Sequence, residues 1–271
     1  MKSSATVVSQ DKITPVIYDM WLQTDLAATA RPGQFVGLYP RDGATLLPRP
    51  ISICEVSDDR QSIRLVYRVV GGGTAEFASY RAGDAVSLIG ILGNGFPVDK
   101  AADKHVFLVG GGIGIPPLLE TAKALTRTGG SLSATTAALD IFLGYTSAPA
   151  FLADELAAHG RVHIATEDGS YGISGNVIDA LTAFAEAESA ARSDTIIMAC
   201  GPLPMLRAVK AYAAGTGMAA YLSLEGRMAC GIGACLSCVC PTTATDPHSN
   251  VPNARICCEG PVFDAEFVEL G

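Results

Sequence analysis

The chain of 271 residues has little charge and least of the basic kind: 17% of residues are charged, and 19 Lys and Arg stand against 27 Asp and Glu, for a formal net charge of −8. No basic run is available to neutralise phosphates, so nucleic acid is not an expected partner. Long apolar runs are missing as well. Although 49% of residues are hydrophobic, nowhere do the roughly 18 or more consecutive apolar residues of a membrane span occur, and no membrane partner is expected. Met1-Lys2-Ser3-Ser4-Ala5 lacks the apolar core of an export signal, which places the expected location in the cytoplasm. A high apolar fraction without a span suits either a well-packed interior or a face covered by a partner subunit. The length allows two domains and a small appendage.

Cysteine is concentrated. Six of the eight cysteines lie at or beyond Cys230. Cys230-Gly231-Ile232-Gly233-Ala234-Cys235-Leu236-Ser237-Cys238 has the Cys-x4-Cys-x2-Cys spacing with which plant-type ferredoxins hold a [2Fe-2S] cluster. Gly231 and Gly233 allow the tight bend that brings thiolates onto two irons and leave amides free to point at sulfur. The fourth ligand is Cys240, Cys257 or Cys258, with Cys240 too close to Cys238 to reach the far side of a cluster easily. Structural zinc is the competing use of such thiolates, but it favours two close cysteine pairs over this triplet. A disulfide scaffold fits less well, because no export signal precedes the cysteines and Cys257 and Cys258 are adjacent. For Cys54 and Cys200 a small buried hydrophobe is the default role.

The first hundred residues alternate short apolar stretches with turns: Thr6 to Val8, Val16 to Leu22, Gln34 to Tyr39, Ile51 to Val56, Ser62 to Val70 and Ala85 to Ile89. This spacing predicts an antiparallel barrel, with one short helix over Gly73 to Tyr80. In Arg49-Pro50-Ile51-Ser52-Ile53 a guanidinium fixed beside a rigid proline can pair bidentately with a pyrophosphate, and the following strand can offer its backbone to a planar ring. Tyr67-Arg68-Val69-Val70-Gly71-Gly72-Gly73-Thr74 runs a strand into bare glycine amides at a helix start, which makes an anion site. A solvated turn and a flexible loop are the bland alternatives for the two stretches.

From about His105 the pattern becomes strand, glycine loop, helix. His105 to Val109 reads as a buried parallel strand, followed by Gly110-Gly111-Gly112-Ile113-Gly114-Ile115-Pro116-Pro117 and a helix to about Thr128. The dinucleotide fingerprint Gly-x-Gly-x-x-Gly is absent, since Ile115 stands where its third glycine belongs. Further strands are predicted over Ile141 to Tyr145, Val162 to Thr166, Thr195 to Cys200 and Ala219 to Leu224. Helices are predicted over Pro149 to His159, Gly175 to about Ala191 and Pro202 to Ala214. The alternation gives a doubly wound parallel sheet that binds ligands at the carboxyl ends of its strands. Asp246-Pro247-His248-Ser249-Asn250 reads as an exposed loop tip.

These strings resemble the ferredoxin reductase superfamily. Arg49-Pro50-Ile51-Ser52 resembles its FAD-cradling Arg-Pro-x-Ser segment, and Gly71-Gly72-Gly73-Thr74 the Gly-x-Gly-Thr segment that meets the phosphates. Gly90-Ile91-Leu92-Gly93-Asn94-Gly95-Phe96 resembles the turn that closes the flavin domain. The loop around Gly111, Gly112 and Gly114 is similar to the one beneath the nicotinamide cofactor, Cys200-Gly201-Pro202 to the turn that places a cysteine near the nicotinamide, and Thr166 to Gly172 to a segment near the cofactor. Together with Arg227 to Cys235, the order of parts is similar to that of the electron-transfer subunits of NAD-dependent bacterial dihydroorotate dehydrogenases.

The resemblance implies an FAD barrel over 1–100 with Arg49, Pro50, Ile51, Ser52, Tyr67, Gly72, Gly73 and Thr74 at the flavin. It implies an NAD domain over 101–224 with Gly111, Gly112, Gly114 and Cys200 at the nicotinamide, and a [2Fe-2S] segment over 225–271. The tail Cys257-Cys258-Glu259-Gly260-Pro261-Val262-Phe263 aligns Cys257 as the fourth ligand beside Cys230, Cys235 and Cys238. NAD is expected over NADP because the loop after Gly144 has no Arg or Lys for a 2'-phosphate. The implied partner is an FMN-containing catalytic subunit that oxidises dihydroorotate, in a heterotetramer of two of each chain, with no dihydroorotate site in this one. The alternative is a reductase subunit of a hydrogenase or sulfite reductase with the same plan.

Overall fold

The computed structural model describes residues 2–43, 45–127, 136–188, 194–246 and 249–271. In the first hundred residues the apolar alternation builds β1 (Ser3–Lys12), β2 (Ile17–Gln23), β3 (Phe35–Tyr39), β4 (Arg49–Ser52), β5 (Glu55–Val56), β6 (Ser62–Arg68) and β7 (Ala85–Leu92), with α1 (Gly72–Phe77) before β7. The strands pair antiparallel in the order β4-β3-β7-β1-β2-β6-β5. The two end strands are consecutive in the chain. Ile53 and Cys54 join them, the Ile53 amide donating to Gln34 O (3.0 Å) before β3 and the Cys54 amide to Arg64 O (2.8 Å) on β6. This seam closes the sheet into a barrel filled by Met20, Leu22, Leu38, Ile63, Leu65 and Leu88, with Phe77 of α1 over it.

The second domain starts with β8 (His105–Gly111) and continues through α2 (Pro117–Thr126), β9 (Ala138–Tyr145), α3 (Ala153–Ala157), β10 (Arg161–Thr166), β11 (Ile173–Ser174), α4 (Val177–Glu188), β12 (Thr195–Cys200), α5 (Leu203–Thr216) and β13 (Ala219–Ser223). These strands are parallel, in the order β11-β10-β9-β8-β12-β13. The chain leaves β8 toward β9 and later returns to its other side as β12. The switch point therefore lies at the carboxyl end of β8, where the glycine loop begins.

The C-terminal stretch forms a small pair, β14 (Val239–Pro241) with β15 (Asn253–Arg255), and then β16 (Val262–Asp264), which adds to β13 antiparallel. Cys238, Cys240, Ile256, Cys257 and Phe263 pack into the same core as Val209 and Leu222. The stretch expected as a small appendage is thus built into the second domain by an edge strand and by shared apolar surface.

Of the element boundaries that differ from expectation, two have visible reasons. Leu152 stands at φ 63°, a left-handed conformation that an α-helix cannot include, so the helix expected from Pro149 starts only at Ala153. The last strand before the cysteine loop ends at Ser223, and the Leu224 amide donates to Pro261 O (2.8 Å). Thr128, residues 189–191 of the helix expected from Gly175, and Pro247 and His248 of the expected loop tip lie outside the described residues. Of that loop, the Asn250 amide donates to Asp246 O (2.8 Å).

The barrel docks through its seam. Buried Arg64 on β6 pairs with Asp19 (2.8 Å) and Glu55 (3.1 Å) within the barrel and with Glu155 of α3 across the interface. Lys123 of α2 meets Glu55 (2.8 Å), the Val56 amide donates to Glu120 Oε2 (2.9 Å), and the Glu120 amide donates to Cys54 O (3.0 Å). Burial pushes the Glu120 carboxyl up, against the Val56 amide that draws it down.

At the opposite, amino-terminal end of the parallel sheet, Asp140 is buried among His105 Nε2 (2.6 Å), His163 Nε2 (2.7 Å) and Arg161 Nε (2.6 Å). An ionised carboxylate only accepts, so both imidazoles present N–H to it. Burial alone would raise this carboxyl; the bonds from His105, His163 and Arg161 outweigh it and hold Asp140 well below the usual carboxylate range. The stabilisation is therefore present above about pH 4 and is lost as the pH falls further. Asp140→Asn is expected to lower the unfolding free energy by about 3 kcal/mol at pH 7, measured by denaturant titration. The gap from wild type should narrow in acid; a gap independent of pH would contradict this assignment.

Candidate flavin, nicotinamide and cluster sites

Arg49 opens β4, an end strand whose one ladder among the described residues is with β3. Its Nη1 donates to Leu47 O (2.9 Å), which turns the guanidinium back over the glycine loop. A Cβ on buried Gly73 would stand 2.8 Å from Arg49 Nε and 3.2 Å from Cζ, so the two motifs meet only because position 73 is bare. Pro50, Ile51 and Ser52 are half-buried along the same strand, and Gly72 is exposed beside Gly73. A fixed guanidinium facing open glycine amides suits a pyrophosphate. Thr74 shapes this cradle from within: its Oγ1 accepts from the Val70 (2.9 Å) and Gly71 (3.2 Å) amides and donates to Gly71 O (3.0 Å).

Tyr67, expected at the flavin, turns its side chain away from the Arg49–Gly73 cradle. Its side chain lies in the barrel core at 1% exposure, with the ring stacked on Tyr18 and edge-on to Phe77. Its hydroxyl accepts from Gln10 Nε2 (2.8 Å). Burial pushes this phenol up to about 12, only partly opposed by the Gln10 bond. Alternation along β6 turns residue 67 inward and residue 68 outward. Arg68 is exposed and reaches the second domain, its Nη2 3.5 Å from where a Cβ on Gly112 would stand. The sequence carried the signal for Arg68 in that alternation.

The three glycines of the nicotinamide loop serve different contacts. A Cβ on Gly111 would meet Met205 Sδ of α5 at 2.6 Å, and one on Gly114 would meet Cys200 O at 2.4 Å, so the two allow the loop to lie against the start of α5 and the end of β12. Gly112, at φ 54°, faces Arg68. Cys200 is buried below this loop; burial pushes its thiol up to about 12 against a bond with Ser223, which keeps it protonated. The Glu167 and Asp168 amides donate to Tyr145 O (3.1 Å) and Thr146 O (3.2 Å), which sets two exposed carboxylates beside the exposed Thr146 and Ser147.

In the cysteine loop Gly231 and Gly233 are buried at φ 72° and 81°, a conformation that disfavours side chains. The sulfurs come together in pairs. Cys230 meets Cys235; burial raises the Cys230 thiol, but the Ile232 amide, the Cys235 thiol and the amides of Cys235 and Ala234 bring it down to about 6. The Cys257 amide donates to Cys238 Sγ (3.4 Å), and the Gly233 amide donates to Cys257 Sγ (3.1 Å), both sulfurs being buried. Burial and Cys238 push the Cys257 thiol up to about 12. Cys258 is exposed, and Cys240 sits in the β14–β15 ladder within the core. Among the described residues no three Cys, His, Asp or Glu side chains surround one point as a single metal ion requires. The Gly233 amide thus ties the cysteine loop to the buried Cys238–Cys257 pair, and four such thiols suit the [2Fe-2S] spacing of the sequence.

Two contacts around this loop were not expected from the sequence. Arg255 donates from Nη1 to Gly233 O (3.3 Å) while its Nε holds Glu259 Oε2 (2.9 Å), which ties the loop to the tail. The turn closing the barrel also grips the tail: the Asn94 amide donates to Gly260 O (2.8 Å), Asn94 Nδ2 to Glu259 O (2.9 Å) and Val262 O (2.8 Å), and the Val262 amide to Asn94 Oδ1 (3.2 Å). A Cβ on Gly231 would lie 3.3 Å from Leu92 Cδ1 at the end of β7.

A flavin-type barrel joined to a parallel-sheet domain with a glycine loop at its switch point defines a ferredoxin reductase-like protein. The structure of an NADH-dependent reduced ferredoxin-NADP oxidoreductase superposes with a TM-score of 0.81, covering 98% of this chain and 90% of that one at 26% identity. A ferredoxin NADP+ reductase from Neisseria gonorrhoeae with bound FAD and NADP has a TM-score of 0.65 over 80% of this chain and 92% of its own, at 19% identity, and shows the fold alone. Residues 225–269 match the family described as the iron-sulfur cluster binding domain of dihydroorotate dehydrogenase B. The dihydroorotate dehydrogenase B (NAD(+)) electron transfer subunit of Listeria monocytogenes is 40% identical over 273 residues, 100% of both chains. That of Geobacillus kaustophilus is 41% identical over 269 residues, 98% of this chain and 97% of its own. The chain belongs to the family of dihydroorotate dehydrogenase B electron transfer subunits.

Serine replacements separate the ligand choices. Cys235→Ser and Cys257→Ser should each abolish the cluster absorption while flavin stays bound, and Cys258→Ser should leave it intact. Bleaching by Cys258→Ser alone of the adjacent pair would reverse the assignment. Arg49→Ala should weaken flavin retention by about 1.5–3 kcal/mol, the value of a charge-assisted hydrogen bond. Unchanged flavin content after dialysis would make Arg49 a turn residue only.

Proposed function

We propose that this chain is the electron-transfer subunit of a dihydroorotate dehydrogenase in pyrimidine biosynthesis, delivering electrons from the FMN of a partner catalytic subunit through [2Fe-2S] and FAD to NAD+. The observation that carries it is that, in a chain of this family, the cysteine loop and tail contact the barrel at Leu92 and Asn94 while the barrel contacts the glycine loop through Arg68. Nicotinamide exchanges a hydride, an iron-sulfur cluster takes single electrons, and a flavin does both.

Each part of the chain then has a task. Residues 1–100 hold FAD, with Arg49 and the Gly72 and Gly73 amides neutralising its pyrophosphate. Residues 101–224 seat NAD over Gly111, Gly112 and Gly114, and Arg68 bridges the two sites. Glu167 and Asp168 would repel a 2'-phosphate at the carboxyl edge of β10, which favours NAD over NADP. Residues 225–271 bind the cluster through Cys230, Cys235, Cys238 and Cys257.

Ile232 (58% exposed) and Leu236 (57% exposed) flank the exposed Cys235, with Val239 and Val251 also exposed in this stretch. Such an apolar face around a redox centre suits a partner subunit that excludes water from it. The assembly proposed is a heterotetramer of two catalytic and two electron-transfer chains in the cytoplasm. No helix of the described residues is long and apolar enough to cross a membrane.

Co-expression with an FMN-containing dihydroorotate-oxidising chain should give a stable complex that reduces NAD+ with dihydroorotate and uses NADP+ poorly. Failure to associate would contradict the subunit assignment, and equal use of NADP+ would contradict the role given to Glu167 and Asp168.

A further inference from the structure

We infer that Asn94 is a positioning residue that fixes the flavin-to-cluster separation and so controls the electron step between them. The inference rests on the function proposed above. Asn94 belongs to the barrel, two residues after the end of β7, whereas the groups it holds, Glu259 O, Gly260 O and both backbone groups of Val262, begin two residues after Cys257. Both Nδ2 hydrogens and Oδ1 are engaged, so the carboxamide matches a pattern of two acceptors and one donor that few small side chains present.

The contact is tight on both sides. A Cβ on Gly93 would stand 2.4 Å from Pro261 Cδ, so the turn already lies against the tail. On the cluster side the Cys257 amide reaches Cys238 Sγ at 3.4 Å, which links the gripped tail to the buried sulfur pair. Pairing of β16 with β13, and the Leu224 amide on Pro261 O (2.8 Å), tie the tail to the nicotinamide domain instead. Asn94 is therefore the polar tie between this tail and the barrel.

Loss of the carboxamide would not be compensated by closer packing. Asn94 borders an open cavity of about 630 Å³ with Tyr221, Asp246 and Phe263 on its walls, so a shortened side chain would admit water there. Electron tunnelling falls exponentially with separation, so a small drift of the tail slows the single-electron step. The flavin and nicotinamide sites would meet at the Arg68–Gly112 contact, which involves no atom of Asn94, so hydride exchange there would be independent of it.

The test is anaerobic stopped-flow reduction of the purified protein by NADH, with flavin and cluster bands followed separately. Asn94→Ala and Asn94→Asp should retain both chromophores and reduce flavin at the wild-type rate, while cluster reduction slows roughly tenfold or more, as expected for a small misplacement of reacting groups. Hydrogen exchange at the Val262 amide should accelerate in both variants, with or without cofactors bound. Cluster reduction at the wild-type rate in either loaded variant would overturn the inference, as would equal slowing of flavin reduction. If Asn94→Ala and Asn94→Asp bind no cluster, Asn94→Ser, which keeps one donor, takes their place: intermediate slowing supports the role and a wild-type rate overturns it. Wild-type protein without flavin or cluster would instead sink the function itself.

Discussion

The tail from Cys257 to Asp264 is gripped from two sides, and the remaining arrangement depends on it. β16 adds to the edge of the parallel sheet, and Asn94 of the barrel turn holds Glu259, Gly260 and Val262. Both grips use backbone groups of the tail, so they constrain its path whatever side chains it carries. With the path fixed, Cys257 points inward onto Cys238 and the Gly233 amide, and Cys258 is left outside. A cysteine segment that docked only through its own loop would have no defined distance to the barrel. Here the distance follows from covalent geometry and a few hydrogen bonds.

The two larger domains are fixed to each other at a different place. The seam that closes the barrel, Ile53 to Val56, is also where α2 and α3 meet it, through Arg64 with Glu155 and Lys123 with Glu55. Charges in such a network contribute through mutual satisfaction more than through net attraction, since burying them has its own cost. Their effect is orientation. The end of β6 is brought to the nicotinamide loop, so that Arg68 faces Gly112. The end of the barrel strand and the glycine loop thus meet on one side, and the cysteine loop meets the barrel at Leu92.

Much of this was legible in the sequence because it depends on local chemistry. Strand and helix periods placed nearly every element of both domains, and β12 was placed with its boundaries correct from an unbroken apolar run between polar flanks. The Arg49 and Gly73 motifs, separate in the sequence, meet in the structure, and the glycine loop follows β8 as its pattern predicts. What could not be read depends on long-range contact. Tyr67 belongs to a strand adjoining the flavin motif, but only closure of the barrel shows its ring facing the core and Arg68 facing outward. Pairing of β16 with β13 links residues some forty positions apart with no periodic signal in three residues. The grip of Asn94 spans |i−j| of 165 and 168, and no local pattern announces it. Cys257 and Cys258 are neighbours in sequence, where only the resemblance of the tail favours Cys257; in the structure Cys257 is buried and Cys258 exposed.

The most direct measurement is an anaerobic titration of the purified chain with NADH, followed by visible absorption and low-temperature electron paramagnetic resonance. The account predicts bound flavin that bleaches and, with it, the signal of a reduced [2Fe-2S] cluster. A colourless protein carrying stoichiometric zinc, or a cluster that NADH leaves oxidised while the flavin is reduced, would contradict it.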